Sequence, residues 1–541
     1  MRGLSRWLLV VAGLLLAAVA LEQHAGRAAE RKALVDELGA TGVARRQPDL
    51  ARDIVADPDP ARARLGLARV LLAESYDFSA FSRLPRREAV EAVAGVPERL
   101  EIARRLAAAG LAARPAAWQG ALVLGGATYR LWSLRGDDRL FSRRDQWAEP
   151  MRVAGQLAPA EDEPVHLLAR ISLELWVVLG ESDREAARSL LRRAFVEPAT
   201  FAALADLWIA AAGSLAAAEA LIPPTAAAWT TVQAVFERRR DWPAVAQAWV
   251  RRLDALEREL TGRAAEIARR LEGGDRAGAR AAALEVIGRA PADGRFAPLV
   301  ERALALLPPG PVSAAHAPSF RRWLEWGNEL FVRGRAALPP PSMQRLALGA
   351  GDLPSSEAAL AALAGGDLVR AELIERRLEA VNTEAWAPYW LAKGRVLAAR
   401  GEGAAAAAAF ARTHRGWRGS VVDTAARAAA GAGDARAQLT ALAATEWPAT
   451  AWRWRGGVAW ADFVLADEAP GLVVAVATSP AGGAALRVAI DGVTVAVAEA
   501  KVNGMVAVPA PVDAGPHLVQ VESIGGGRVS PGAVRLLPAS L

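Results

Sequence analysis

Two stretches of the chain carry large apolar residues at the same intervals. Trp229, Phe236 and Trp249 are separated by seven and then thirteen positions, and so are Trp390, Leu397 and Phe410. Seven positions keep two residues on one face of a helix, and thirteen carry the pattern across a turn into a second helix. The interval therefore predicts a helical hairpin whose first helix offers two anchors and whose second returns one. With partial copies between them, these hairpins make the chain a stack of helical pairs. The pattern opens at Asp57-Pro58-Asp59-Pro60, a turn followed by a helix start with proline in the first turn, and runs with interruptions to about Thr445.

The turns inside the hairpins read as Gly-Asp or close variants: Gly180–Asp183, Arg240-Asp241, Gly274-Asp275, Gly366-Asp367, Gly401-Glu402 and Gly433-Asp434. The steps from Asp241 to Asp275, Asp367 to Glu402 and Glu402 to Asp434 are 34, 35 and 32 residues. This period resembles that of tetratricopeptide repeats. Trp390, Gly394, Leu397, Ala406 and Phe410 match that family's helix-A anchors, small packing residues and helix-B aromatic. Ala279, Ala283 and Pro291 match its small helix-B residues and closing proline, and Ala187, Leu191 and Ala194 also fit helix B. Small residues let paired helices approach, and large ones fill the neighbour's holes. The pattern is degenerate. Val245 and Trp249 occupy small positions, and Trp118 to Trp147 shows no clean repeat.

Pro308-Pro309-Gly310-Pro311 to Pro318, and Leu338-Pro339-Pro340-Pro341 to Pro354, interrupt the helical pattern. Phe320 to Arg335 between them reads as one helix with Trp323 and Trp326 on a shared face. After Trp447-Pro448 the hydrophobic period falls from 3.6 to 2. Leu472–Thr478, Leu486–Ile490, Val493–Val497, Met505–Val508, Leu518–Ser523 and Val534–Leu537 read as strands between Gly, Pro, Asp and Asn. Asp491-Gly492 reads as a two-residue hairpin turn. Six short strands in under a hundred residues predict a separable β-sandwich. Asp513-Ala514-Gly515-Pro516-His517 before Leu518-Val519-Gln520-Val521 resembles the turn before a late strand in jelly-roll carbohydrate-binding modules.

At the N-terminus Arg2 and Arg6 precede an apolar run from Trp7 to Leu21, ended by Glu22. This run suits either an uncleaved anchor or a cleaved signal peptide with Ala18-Val19-Ala20 at its site. Helical pattern continues from Glu22 to Leu38, which favours the anchor. Both versions put the rest of the chain outside the cytoplasm. The expected location is thus the inner membrane, with the bulk periplasmic, or else export after cleavage.

Composition narrows the functions. The formal charge of +6 comes almost wholly from Arg, since Lys32, Lys393 and Lys501 are the only lysines, and Arg alternates with Glu and Asp as on a solvated helix face. That argues against a nucleic-acid partner. With no Cys, disulfides and thiolate chemistry are excluded. His24, His166, His316, His414 and His517 are isolated from one another, and His517 is expected to finish a turn at a strand edge. Glu161-Asp162-Glu163 before Pro164 suits a helix N-terminus better than a cation site. Gly482-Gly483 and Gly525-Gly526-Gly527 lack the following helix and lysine of a phosphate cradle and read as hairpin loops. No catalytic, metal or cofactor residues are assigned.

Tryptophan is in excess, at 18 residues, and most of it falls at helix anchors. Trp447, Trp452, Trp454 and Trp460 instead cluster where helix gives way to strand. They either glue the last hairpin to the sandwich or form an aromatic platform for sugar rings, with Trp452, Trp454 and Trp460 as the candidate residues.

The chain is therefore expected to be multidomain, α then β. Residues 1–21 are a signal anchor or signal peptide and 22–307 a first helical-repeat block. Residues 308–355 are a proline-rich hinge with one helix, 356–446 a second block and 447–541 a jelly-roll-like β-sandwich. The expected protein is non-enzymatic. It binds envelope proteins through its repeats, polysaccharide through its sandwich and the membrane through residues 4–21. The function so implied is assembly in surface or exported polysaccharide production. The alternative is an accessory scaffold or chaperone of a protein-export or pilus machine.

Overall fold

The computed structural model describes residues 22, 25–26, 28–76, 93–331, 338–350, 356–379, 387–412 and most of 446–536. The expected anchor or signal at 1–21 and the turn at Gly433-Asp434 lie outside the described residues. Among those described, no helix is long and apolar enough to cross a membrane. The bulk of the chain is helical and its C-terminal part is antiparallel sheet. It divides into two compact units, Met1–Gly213 and Ser214–Leu541. That division falls inside the expected 22–307 block.

The first unit is built of consecutive packed helices. Asp59 caps the Pro60–Glu74 helix by accepting from the amide of Ala61 at 3.0 Å, with Pro60 in the first turn as the sequence predicts. The Trp118–Arg135 and Asp145–Leu157 helices form a close hairpin despite the missing repeat signal. Glycine makes the approach possible, because a side chain on Gly125 would collide with Met151 and the Trp147 carbonyl. Leu67, Leu71, Leu100, Leu122 and Met151 fill the core around it.

In the second unit the predicted turn chemistry is visible. Gly274, Gly366 and Gly401 are left-handed, at φ 78°, 78° and 80°. Asp275 and Asp367 then cap the following helices, accepting from the amides of Gly278 at 2.8 Å and Arg370 at 3.0 Å. The step from Asp241 to Asp275, however, is filled by one 31-residue helix, Trp242–Glu272, in place of the two a tetratricopeptide unit would put there. The second step holds the expected pair, Leu368–Glu379 and Ala387–Ala399. Trp390 and Phe410 are buried, and a side chain on Gly394 would strike the Phe410 ring.

The expected hinge at 308–355 is corrected. It contains two helices, Ala317–Phe331 and Pro340–Gly349. Phe320, Trp323, Leu324, Leu330, Met343 and Leu346 are buried in a core continuous with Trp249 before them and with Leu360 and Phe410 after them. Prolines begin helices as readily as they end them, and Pro340 occupies such a first position.

Among the described residues nine strands follow: β1 (Glu446–Trp447), β2 (Arg453–Arg455), β3 (Val458–Leu465), β4 (Leu472–Thr478), β5 (Ala484–Ile490), β6 (Val493–Ala500), β7 (Gly504–Val508), β8 (Gly515–Gly526) and β9 (Val529–Leu536). They form two antiparallel sheets ordered β1-β9-β4-β7 and β2-β3-β8-β5-β6. The sheets share an apolar core that includes Phe463, Val474, Val488, Val506 and Val521. Asp491 and Gly492 turn the β5–β6 hairpin with φ 50° and 75°, the pair of positive angles a type I′ turn needs. His517 does more than finish a turn. It is fully buried and stacked on Phe463, with Nδ1 2.7 Å from an Asp491 carboxylate oxygen and Nε2 2.6 Å from the Asp513 carbonyl.

The strands are not an independent module. The second face of the five-stranded sheet packs on the helices of its own unit. Side chains added at Gly492 or Gly483 would collide with Trp326 and Trp242, and one at Gly525 would lie 2.9 Å from Val245.

Candidate binding site

Strand alternation decides what each face of the five-stranded sheet can do. On β3, Ala459, Ala461 and Phe463 point into the sandwich core, so Trp460 points to the helices. On β8, Val519 and Val521 point inward, leaving Leu518, Gln520 and Glu522 on the helix side. Arg487 of β5 and Thr494 of β6 share that side and meet Asp293, which is 2% exposed. Asp293 accepts from Arg487 Nη2 at 2.9 Å, from the Thr494 amide at 3.2 Å and from the Thr494 hydroxyl. A second Arg487 nitrogen lies 3.2 Å from Glu522. The Gly294 amide donates to the Gly492 carbonyl at 3.0 Å, and Gln233 Nε2 to the Ile524 carbonyl at 3.0 Å. These polar ties hold the sheet on the helices.

Beside the ties the two layers do not close. They leave a cleft of about 630 Å³, within the range of about 300–1,000 Å³ for small-molecule sites. The Trp242–Glu272 helix lends it Trp249, Arg252, Leu253 and Leu256; the Ala317–Phe331 helix lends Arg322, Glu325, Trp326 and Glu329; the sheet lends Val458, Trp460, Arg487, Gln520 and Glu522. Arg252 is half-buried above the Trp249 ring, at 5.8 Å from its centroid. Burial pushes the Arg252 guanidinium below its usual pKa, against the pull of Glu237 and Glu522. Burial does the same to Arg322, which donates to the Ala290 carbonyl at 2.9 Å.

The cleft also holds hydrogen-bonding atoms with no partner. The indole nitrogens of Trp326 and Trp460 and Oε1 of Gln520 are buried and unmatched. Buried polar groups are nearly always paired, so unmatched ones mark an opening for water or ligand. Trp460 and Gln520 are direct register partners across β3 and β8 and therefore lie side by side.

Of the three residues expected to form an aromatic platform, Trp460 lines this cleft. Trp452 sits just before β2 and packs on the sandwich core, with Nε1 donating to the Gly532 carbonyl at 2.6 Å. Trp454 lies in β2 opposite Ala459, and its side chain is outside the described residues. Trp452 and Trp460 thus serve different faces, and no shared platform joins them. Arg252, Gln520 and Glu522 carry no sequence signal of a site, because each looks like an ordinary polar position on a helix or an alternating strand. The acidic run at 161–163 begins the Asp162–Glu174 helix, and Glu163 pairs with Arg69 at 2.5 Å. Among the described residues no group of carboxylates and histidines could hold a metal ion.

The arrangement defines a class only by its build: a helical array with a two-sheet domain seated on it and a mixed polar and aromatic cleft between the layers. No family model and no curated protein matches the chain. Among solved structures, that of Naa15/Naa10 bound to HypK-THB is similar at 12% identity, covering 77% of this chain and 68% of the other, with a TM-score of 0.20. A likeness that loose bears on neither fold nor partners.

Proposed function

We propose that this is a non-enzymatic binding and assembly protein of a bacterial envelope, serving the production of a surface or exported polysaccharide. In this reading the helices are a degenerate tetratricopeptide-type scaffold for envelope proteins. The two sheets are a jelly-roll-like module of the carbohydrate-binding kind. Residues 4–21 keep the chain on the inner membrane with its bulk periplasmic, or are cleaved on export. The observation that carries the reading is the cleft, in which a half-buried indole stands beside unmatched donor and acceptor atoms. A saccharide offers a flat C–H face to an indole and hydroxyls that donate and accept in turn. The test is binding of the full-length protein to an array of neutral and acidic glycans. Binding that is lost on Trp460→Ala, with thermal stability kept, is the expected result; failure to retain any glycan would overturn it.

A second reading has its own observation. Val177 and Val178 of the one-turn helix Trp176–Val178, and Val196 nearby in sequence, are 86%, 62% and 81% exposed. Exposed apolar groups of this size favour a protein partner. An accessory scaffold or chaperone of a protein-export or pilus machine would use them. Co-purification with such a machine, abolished by Val177→Asp and unaffected by Trp460→Ala, would support that version.

A further inference from the structure

Resting on the saccharide reading above, we propose that the cleft selects an acidic sugar, one that presents a carboxylate to Arg252 and hydroxyls to the rest of the wall.

Arg487 is engaged by Asp293 and Glu522. Arg289 is engaged by Glu259 and Glu285. Arg322 donates to the carbonyls of Gly288 and Ala290. Arg252 differs. Among the described residues no carboxylate lies within ion-pair distance of it, and its one close partner is the face of Trp249. A half-buried guanidinium with an open fork is matched in charge and shape by a carboxylate, which takes two parallel hydrogen bonds.

The rest of the lining narrows the ligand. Among the described residues the wall holds four arginines and also four carboxylates, Asp293, Glu325, Glu329 and Glu522. Wall carboxylates accept hydrogen bonds, and hydroxyl groups donate them. Trp460 Nε1 and Gln520 Oε1 add one unmatched donor and one unmatched acceptor on adjacent strands. A ring bearing several hydroxyls and a carboxylate uses Arg252, Trp460 and Gln520 at once. An acidic peptide would use Arg252 but has few hydroxyls for the remaining wall.

The test is calorimetric titration of the full-length protein with three probes: trigalacturonate, the same trimer with its carboxylates reduced to primary alcohols, and triaspartate. The expected result is binding of trigalacturonate, weakened at least 10-fold by carboxyl reduction and by Arg252→Gln, with part of the affinity kept in Arg252→Lys. Equal affinity for the acidic and reduced trimers, or full affinity in a folded Arg252→Gln variant, would overturn the carboxylate assignment and leave the saccharide reading intact. Preference for triaspartate would overturn both, whereas no binding of either trimer would overturn the acidic-sugar assignment alone and leave the saccharide reading to the glycan array. Should Arg252→Gln not fold, the two trimers still decide the matter on the unaltered protein, because reduction deletes the same contact from the ligand side.

Discussion

The two faces of the five-stranded sheet are made by the same strands and differ in kind. The inner face is apolar and closed: Phe463, Val488, Val519 and Val521 pack on the opposite sheet. The outer face is mixed. Leu518 joins the helical core, Arg487 and Thr494 bind Asp293, and Trp460 and Gln520 look into the cleft. One face is held by apolar burial, the other by a smaller apolar contact together with a few directed polar ties. The second kind of contact can leave a gap without falling apart, and a gap is where a ligand fits.

The largest test of this contrast removes the outer partner. Residues 447–541 expressed alone should lose the cover of Leu518, Arg487 and Trp460. The expected outcome is an insoluble fragment, or one that binds a hydrophobic dye; a soluble, cooperatively folding fragment would show that the outer face needs no helices. Next come single substitutions in the whole chain. Phe463→Ala on the inner face should cost about 3–5 kcal/mol in denaturant unfolding, the loss typical of a buried aromatic. Asp293→Ala on the outer face should cost up to about 3–5 kcal/mol, what breaking a buried ion pair from one side costs, because Arg487 loses its buried partner and keeps only the part-exposed Glu522. The two costs differ in reversibility. Pairing Asp293→Ala with Arg487→Met should recover most of the loss, whereas no second substitution of that kind repairs Phe463→Ala. A double variant no more stable than Asp293→Ala alone would mean the tie is not electrostatic.

A smaller effect is expected at the hairpin tip. Gly492 has φ 75° and lies against Trp326. Gly492→Ala should cost about 1–3 kcal/mol, the usual size of such backbone strain, with the new methyl pushing the tip off the indole. An unchanged melting temperature would place the tip away from Trp326.

The sequence read the inner face far better than the outer one. Leu472–Thr478 was legible to the residue, and Asp491-Gly492 to the turn type, because period and turn chemistry are local. The outer face was illegible for a physical reason. Alternation marks Arg487, Thr494, Gln520 and Glu522 as the polar side of a strand, and that side looks the same whether it meets water or a helix bearing Asp293. Asp293 caps the short helix Gly294–Phe296; that its carboxylate is buried under a sheet nearly two hundred residues later cannot be seen locally. β3 escaped because Trp460 was grouped with the indoles before it rather than with the strand that carries it. In the helical part, Trp390 and Phe410 were visible as anchors, while the hairpin from Trp118 to Leu157 was not, since its large core residues, such as Tyr129 and Trp147, do not fall at the repeat's intervals and its close approach rests on Gly125. The prolines at 308–311 and 339–341 suggested a hinge, yet Trp323 and Met343 are core.

The smallest expected effect separates the two indoles that the sequence grouped together. Trp452 donates to the Gly532 carbonyl, and Trp460 donates to nothing among the described residues. Phenylalanine keeps most of the ring and deletes only the N–H. Trp452→Phe should therefore cost about 1 kcal/mol, the net value of one hydrogen bond, and leave ligand binding alone. Trp460→Phe should change stability by less than about 0.5 kcal/mol, because no bond is lost and a desolvated donor is removed. If the cleft binds saccharide through that donor, the same variant should weaken the glycan about 5- to 10-fold, the equivalent of roughly 1 kcal/mol or slightly more. Stability falling at Trp460 and binding falling at Trp452 would reverse the assignment of the two faces. A Trp460→Phe variant that changes neither would leave the ring face, and not the N–H, as what Trp460 offers a sugar.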